Sequence, residues 1–130
     1  VLVGLTKRQM KKLPGNITGI ERTSDITELV KIYSGASIFI NPSSEESFSL
    51  VTVEAMACGT PAIVLDTSAV KELVDEKSGL VLKQHQPQDY IKAIQLIMDK
   101  KLRTDDIRAR AEKFDKDRQV ARIIELYKTV

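Results

Sequence analysis

Apolar runs of strand length alternate along this chain with segments in which apolar residues recur at helical spacing. The runs predict strands at 1–4, 17–20, 37–41, 62–65 and 78–82. The run 62–65 is apolar at every position, which is typical of a parallel strand covered on both faces. Strands that alternate with helices build parallel sheets. The pattern therefore predicts an α/β fold: a doubly wound, mostly parallel, Rossmann-like sheet with helices on both faces.

Local signals predict where the helices begin and end. Asp25 and Glu28 have the spacing of a capping box, and Pro87 has the first-turn position that proline prefers. Thr104 is expected to cap a further helix. The last helix, about 117–128, is expected to turn an apolar stripe toward the core, formed by Val120, Ile123, Ile124 and Tyr127.

The middle of the chain, residues 41–65, combines strand, polar loop, helix and strand. The loop 42–47 follows a predicted strand, and the segment 48–58 is apolar almost all round, which predicts a buried helix. Ligands of parallel sheets bind beyond the carboxyl ends of the strands. The free N–H groups at the start of this helix are therefore expected to face an anionic or hydroxyl-rich ligand, through Phe48, Ser49, Leu50 and Val51.

Two carboxylates stand out in this stretch. Glu46 lies in the loop, and Glu54 lies among apolar residues of the predicted helix, where burial is costly unless the carboxylate is hydrogen-bonded. Two interpretations of Glu54 remain open on this basis. It is either a structural carboxylate bonded to a neighbouring loop, or an acceptor for hydroxyl groups of a ligand.

Composition excludes several classes of function. The 130 residues suit one domain, 1–130, and a net charge of +2 with no Trp does not indicate nucleic-acid binding. Cys58 and His85 are the only residues of their types, so disulfides, multi-cysteine zinc sites and Ser–His or Cys–His couples have no support. We expect no metal and no cofactor. No apolar run reaches the ~20 residues that cross a bilayer, and the cytoplasm is the expected location.

The segment from Glu46 to Pro61, ESFSLVTVEAMACGTP, resembles the E-x(7)-E signature of retaining glycosyltransferases of the GT-B fold, especially family 4 of the glycosyltransferases. The preceding run 33–43, YSGASIFINPS, is similar to the helix end, strand and Pro-Ser loop of that family. The resemblance covers most of the chain, from Val1 to about Asp99. It implies the C-terminal, donor-binding lobe of such an enzyme.

The resemblance also implies roles for individual residues. Glu46 is the implied catalytic residue, which orients the donor sugar and stabilises the positive charge developing at its anomeric carbon. Glu54 would bind the ribose 2′ and 3′ hydroxyls. The other implied donor-binding positions are Ser47, Phe48 and Ser49 near the sugar, and Leu50 and Val51 at the diphosphate.

For the whole enzyme, the resemblance implies transfer of a sugar, with retention, from a nucleotide diphosphate sugar to a saccharide or lipid-linked acceptor. The acceptor would bind to an N-terminal lobe that is absent here, so we expect this chain to be an inactive piece of a longer protein. The family is typically metal-independent. A cytoplasmic enzyme, with or without peripheral contact to a membrane, is expected.

The chain departs from the family pattern at Ser47 and Ser49, where the family usually has glycine, which reaches positive φ without cost. The cations that bind diphosphate in relatives come from a segment upstream of Val1. One alternative remains a non-catalytic α/β nucleotide-binding or regulatory module, for example a receiver-like domain with Asp66 as phosphoacceptor. Another is an epimerase or phosphorylase of similar fold.

Overall fold

The computed structural model describes residues 1–129, without the side chain of Ser68. Contacts divide the chain into two compact units, Val1–Ile32 and Tyr33–Val130. The first unit contains β1 (Leu2–Val3), α1 (Lys7–Met10) and β2 (Gly19–Ile20), and β1 pairs with β2 in parallel. α2 (Ile26–Gly35) runs from the first unit into the second.

Side-chain caps define the helix starts of the first unit. Thr6 and Gln9 form a capping box at α1, and Asp25 accepts a hydrogen bond of 2.9 Å from the N–H of Thr27 at the start of α2. The cap predicted at Asp25 is therefore confirmed. β1 confirms the predicted first strand, but its apolar sequence does not mark a buried one, because Leu2 and Val3 are exposed.

The second unit is built on a three-stranded parallel sheet of β3 (Phe39–Asn41), β4 (Ala62–Leu65) and β5 (Gly79–Leu82), in the order β3-β4-β5. Asn41 is in register with Val64, and Leu65 with Leu82. The carboxyl ends of these strands therefore lie along one edge of the sheet.

Helices cover both faces of this sheet. α3 (Leu50–Ala57), a 3-10 helix (Ser68–Glu72) and α5 (Thr104–Glu112) lie on one face, and α4 (Pro87–Lys100) lies on the other. α6 (Lys116–Lys128) follows α5. Val64 packs with Met56 and Ile107 on one face, and Ile63 packs with α4 on the other. All four residues of β4 are buried, as its uninterrupted apolar sequence predicts. The predicted α/β fold, with parallel strands and helices on both faces, is confirmed, and within residues 1–129 its strands form two separate sheets, of two and three strands.

Two helix predictions are wrong at the C-terminal end of the chain. Arg103 is the N-cap of α5, so Thr104 is its first helical residue. The structure buries no residue of α6, and the stripe that was expected to face the core is exposed: Val120, Ile123, Ile124 and Tyr127. Amphipathic spacing correctly predicts an apolar face on α6. It carries no information on whether another element covers that face.

Within residues 1–129, none of the helices combines the length and the apolar character that crossing a bilayer requires.

A close approach of two backbones in the sheet, at Gly79, predicts a large cost for one small substitution. A Cβ atom at Gly79 would collide with the carbonyl oxygen of Ala62, a backbone atom that cannot move without disturbing the β4–β5 pairing. Gly79→Ala is therefore expected to lower the free energy of unfolding by roughly 1–3 kcal/mol or more. Urea unfolding measures this effect. Gly35→Ala is the matched control, since nothing lies within 4 Å of its added methyl group, and an equal loss in both variants would contradict the prediction.

Candidate functional site

The candidate site lies beyond the carboxyl end of β3, where the loop after Asn41 leads into α3. Asn41 is the last residue of β3 and only 5% exposed. Its side-chain amide nitrogen lies 3.0 Å from Glu46 Oε2, 2.8 Å from Ser49 Oγ and 3.2 Å from Thr52 Oγ1. Its side-chain oxygen accepts a bond of 3.0 Å from the N–H of Ser43. One buried amide thus connects the strand, the loop and the first turn of the helix.

We call the residues around this amide the Asn41 cluster: Asn41, Glu46, Ser49 and Thr52. The amide nitrogen carries two hydrogens for three acceptors, and the bond to Glu46 is charge-assisted. The two hydroxyls also bond each other at 2.8 Å. The cluster therefore holds the half-buried Glu46 against the end of β3. Sequence reasoning did not single out Asn41, although an asparagine that ends an apolar strand before a proline was a usable signal.

Ser49 has a left-handed backbone, with φ 66° and ψ 74°. This conformation ends the loop and starts α3 at Leu50, so the predicted helical start at Phe48 is wrong by two residues. Of the two serines at which the resemblance leads one to expect glycine, Ser49 has a positive φ, whereas Ser47 is not among the described residues with one. A non-glycine residue pays roughly 1–2 kcal/mol for this conformation. The two side-chain hydrogen bonds of Ser49 offset part of that cost.

α3 buries one face and exposes another. Thr52, Ala55 and Met56 are buried, whereas Glu54 is exposed and lies beside Leu50 and Val51, which are 67% and 43% exposed. The expectation of a buried Glu54 is therefore wrong. A segment that is apolar all round does not reveal which of its faces lacks a covering element.

The exposed carboxylate of Glu54 has one partner from the core. The hydroxyl of Tyr33, a residue only 8% exposed, lies 3.4 Å from Glu54 Oε2. Burial, followed by the negative charge of Glu54, raises the pKa of Tyr33 to about 12. The hydroxyl therefore stays protonated at neutral pH and acts as a donor toward the carboxylate.

The remaining predicted site residues differ in where they lie. Phe48 is partly buried against the core, and its ring meets that of Phe114 edge-on with centroids 5.9 Å apart. Ser47 is exposed in the loop. The N–H groups of Leu50 and Val51 lie in the first turn of α3, where helix geometry provides no intrahelical acceptor. Among residues 1–129, no group of three or more His, Cys, Asp or Glu side chains could hold a metal ion.

Comparison of the sequence with known proteins identifies glycosyltransferases as relatives of this chain. Residues 6–114 match the family model "Glycosyl transferases group 1". The chain is 38% identical over 104 residues to a D-inositol 3-phosphate glycosyltransferase from Acidothermus cellulolyticus, an alignment that covers 77% of this chain and 23% of the relative. It is 45% identical over 78 residues to an enzyme of the same name from Corynebacterium jeikeium, which covers 58% of this chain and 19% of the relative.

A solved structure gives the same result. The fold matches sucrose-phosphate synthase from Thermosynechococcus elongatus with a TM-score of 0.77 and 28% identity, over 93% of this chain and 32% of that one. The fold is thus that of a lobe of a GT-B glycosyltransferase. The chain belongs to the glycosyl transferases group 1 family. It spans about a fifth to a quarter of the length of these two relatives and about a third of the solved structure.

The Asn41 cluster predicts a stability effect. Asn41→Ala removes the donor shared by three buried or half-buried oxygens, and each buried polar group left unsatisfied costs about 1–3 kcal/mol. We expect a loss of about 2 kcal/mol or more in the free energy of unfolding, measured with urea. Asn16→Ala, at an exposed asparagine, is the control and should stay within about 0.5 kcal/mol of the original chain. A loss at Asn41 no larger than at Asn16 would show that the cluster does not hold the loop.

The raised pKa of Tyr33 predicts a dependence of stability on pH. The unfolded chain releases this proton near pH 10, whereas the folded chain keeps it until about pH 12. Between these values the folded state binds more protons, so its stability falls as pH rises. The stability of the original chain relative to Tyr33→Phe should therefore decrease from pH 10 to pH 12. Urea titrations at each pH measure this difference, and a difference that stays constant from pH 10 to pH 12 would contradict the prediction.

Proposed function

We propose that this chain is the C-terminal, donor-binding lobe of a retaining glycosyltransferase of family 4. The whole protein would transfer a sugar from a nucleotide diphosphate sugar to a saccharide or lipid-linked acceptor. The observation that carries this proposal is the Asn41 cluster, which holds Glu46 beyond the carboxyl end of β3 and next to the start of α3. Ligands of parallel α/β sheets bind at this place.

In this proposal Glu46 is the catalytic residue. A carboxylate held by a buried amide keeps its position while positive charge develops at the anomeric carbon of the donor, and such preorganised charge is a major catalytic contribution. The hydrogen bond of 3.0 Å from Asn41 supports this role because it orients one carboxylate oxygen from within the protein.

Glu54 accepts hydrogen bonds from the ribose 2′ and 3′ hydroxyls in this proposal. Its exposure supports the assignment, because a ligand can reach an exposed carboxylate without displacing core residues. Leu50 and Val51 expose apolar surface beside it, which a nucleoside can cover on binding.

The start of α3 supplies the site for the diphosphate. The N–H groups of Leu50 and Val51 lie in its first turn, where the helix dipole favours negative charge. Ser47, Phe48 and Ser49 precede the helix, and we assign their backbone to the sugar. The hydroxyl of Ser49 is occupied within the Asn41 cluster, so it contributes to the shape of the loop.

Neither a metal nor a cofactor is needed in this proposal, since Glu46 and the helix N-terminus supply the charge complementarity. The acceptor would bind to an N-terminal lobe, and the chain by itself would be inactive. We place the whole protein in the cytoplasm, free or in peripheral contact with a membrane. The diphosphate-binding cations would also come from upstream of Val1.

Titration with UDP and GDP tests the donor site. Hydrogen bonds to charged groups contribute roughly 1.5–3 kcal/mol, so Glu54→Gln is expected to weaken nucleoside diphosphate binding by roughly tenfold or more. Isothermal titration calorimetry on this chain measures the affinity. Glu45→Gln, at an exposed glutamate one residue before Glu46, is the control and should bind normally.

Two outcomes would contradict the proposal. If the whole protein is folded and binds neither UDP nor GDP at millimolar concentration, the donor site does not exist. Unchanged binding in Glu54→Gln, combined with reduced stability, would instead support a structural Glu54 and a non-catalytic α/β module.

A further inference from the structure

We propose that Tyr33 is a positioning residue that acts through Glu54 and makes the site selective for a ribose with both hydroxyls. This inference rests on the proposed role of Glu54 in nucleoside diphosphate binding. Tyr33 lies at the end of α2, outside the loop and helix that carry the other site residues. Its hydroxyl, directed at Glu54 Oε2, is the link between the core of the second unit and the site.

The position of Tyr33 is determined by packing and by a backbone hydrogen bond. Its ring meets that of Phe39 edge-on, with centroids 5.8 Å apart and an interplanar angle of 79°. Its carbonyl oxygen accepts a bond of 2.6 Å from the buried hydroxyl of Thr60. The phenol is thus a fixed group, anchored to β3 and to the start of β4.

Glu54 is flexible by comparison, because it is exposed and has three side-chain torsions. Fixing a glutamate side chain in one conformation costs up to about 1.5–2 kcal/mol of conformational entropy. When a ligand binds both carboxylate oxygens, this entropy loss weakens its binding. A fixed donor that already restricts the carboxylate before the ligand binds makes the entropy loss smaller.

A neutral donor suits this task better than a cation. An arginine or lysine at this place would orient the carboxylate but compensate its charge, which weakens the carboxylate as an acceptor for hydroxyl groups. The phenol of Tyr33 is a neutral donor at physiological pH, since the ordinary pKa of tyrosine is already near 10 and the pKa of Tyr33 is higher still. It therefore restricts Glu54 while leaving the negative charge available to the ribose hydroxyls.

The distance between the Tyr33 hydroxyl and Glu54 Oε2 distinguishes a positioning role for Tyr33 from a purely structural role. At 3.4 Å the hydroxyl and carboxylate are farther apart than the 2.7–2.8 Å typical of good O–H···O bonds. A contact of this length contributes little to the stability of the fold. Hydrogen bonds of functional groups are often long without ligand and shorten in the complex. The contribution of this contact to affinity is therefore expected in the complex with a nucleotide, where it can be measured.

Calorimetric titration of this chain with UDP, GDP and their 2′,3′-dideoxy forms tests the inference. Tyr33→Phe keeps the ring and its packing and removes only the hydroxyl. We expect it to weaken binding of the preferred ribonucleotide by about three- to tenfold, the range of one hydrogen bond, and to leave the dideoxy form within about twofold. Tyr90→Phe is the matched control, since it removes another partly buried phenol hydroxyl, bonded to His85 at 2.9 Å, and should leave both affinities unchanged.

A double-mutant cycle completes the test. If Tyr33 acts through Glu54, Tyr33→Phe should cause no further loss in the Glu54→Gln background. Equal weakening of the ribonucleotide and the dideoxy form, or additive losses in the cycle, would overturn the inference.

The cycle also separates the inference from the proposed function. If Glu54→Gln removes the preference for ribose and Tyr33→Phe does not, the inference fails and the proposed function stands. If Glu54→Gln leaves the preference intact, or if the whole protein binds none of these nucleotides at millimolar concentration, the assignment of Glu54 fails and the inference fails with it.

Discussion

A buried side-chain amide at the end of β3 determines the shape of the loop that carries the candidate catalytic carboxylate. Asn41 offers hydrogens to Glu46, Ser49 and Thr52 and accepts one from the backbone of Ser43. Hydrogen bonds in a buried position are strong, and each is costly to leave unmade. The left-handed backbone of Ser49 persists in this setting because the surrounding bonds over-determine it. The position of the Glu46 carboxylate and the strained backbone of Ser49 therefore both depend on the hydrogen bonds of Asn41.

Helix α3 supports the site in two different ways. The inner face of α3 packs on the sheet through Ala55 and Met56, while its outer face presents Glu54 to solvent. Packing makes the helix a rigid support, and exposure makes the carboxylate accessible to a ligand. Tyr33 connects the buried core with this exposed face of α3, because its buried phenol contacts the exposed carboxylate of Glu54. The site therefore combines a carboxylate held from inside, Glu46, with one that is restrained by a single contact, Glu54.

Membership of the glycosyl transferases group 1 family agrees with this arrangement at the level of the fold. The chain spans 23% of the length of its relative from Acidothermus cellulolyticus and 32% of the sucrose-phosphate synthase chain. Donor, acceptor and stereochemistry belong to the proposal for the whole protein. Within this chain, the features that support the proposal are local: a held carboxylate, a helix start and an accessible second carboxylate on one side of the sheet.

The sequence by itself determined the strands, most helix boundaries and the α/β class, because apolar periodicity, Asp25 and Pro87 act over a few residues. The residue pattern from Glu46 to Pro61 also correctly indicated a GT-B glycosyltransferase, whereas family 4 and retention remain predictions. Only the tertiary structure decided which faces of α3 and α6 are covered, since periodicity marks an apolar face but not its neighbour. The roles of Asn41 and Tyr33 likewise became visible only in the tertiary structure. Their roles depend on hydrogen bonds to residues up to 27 positions away in the chain, and long-range contacts of this kind arise only when the sheet and helices pack.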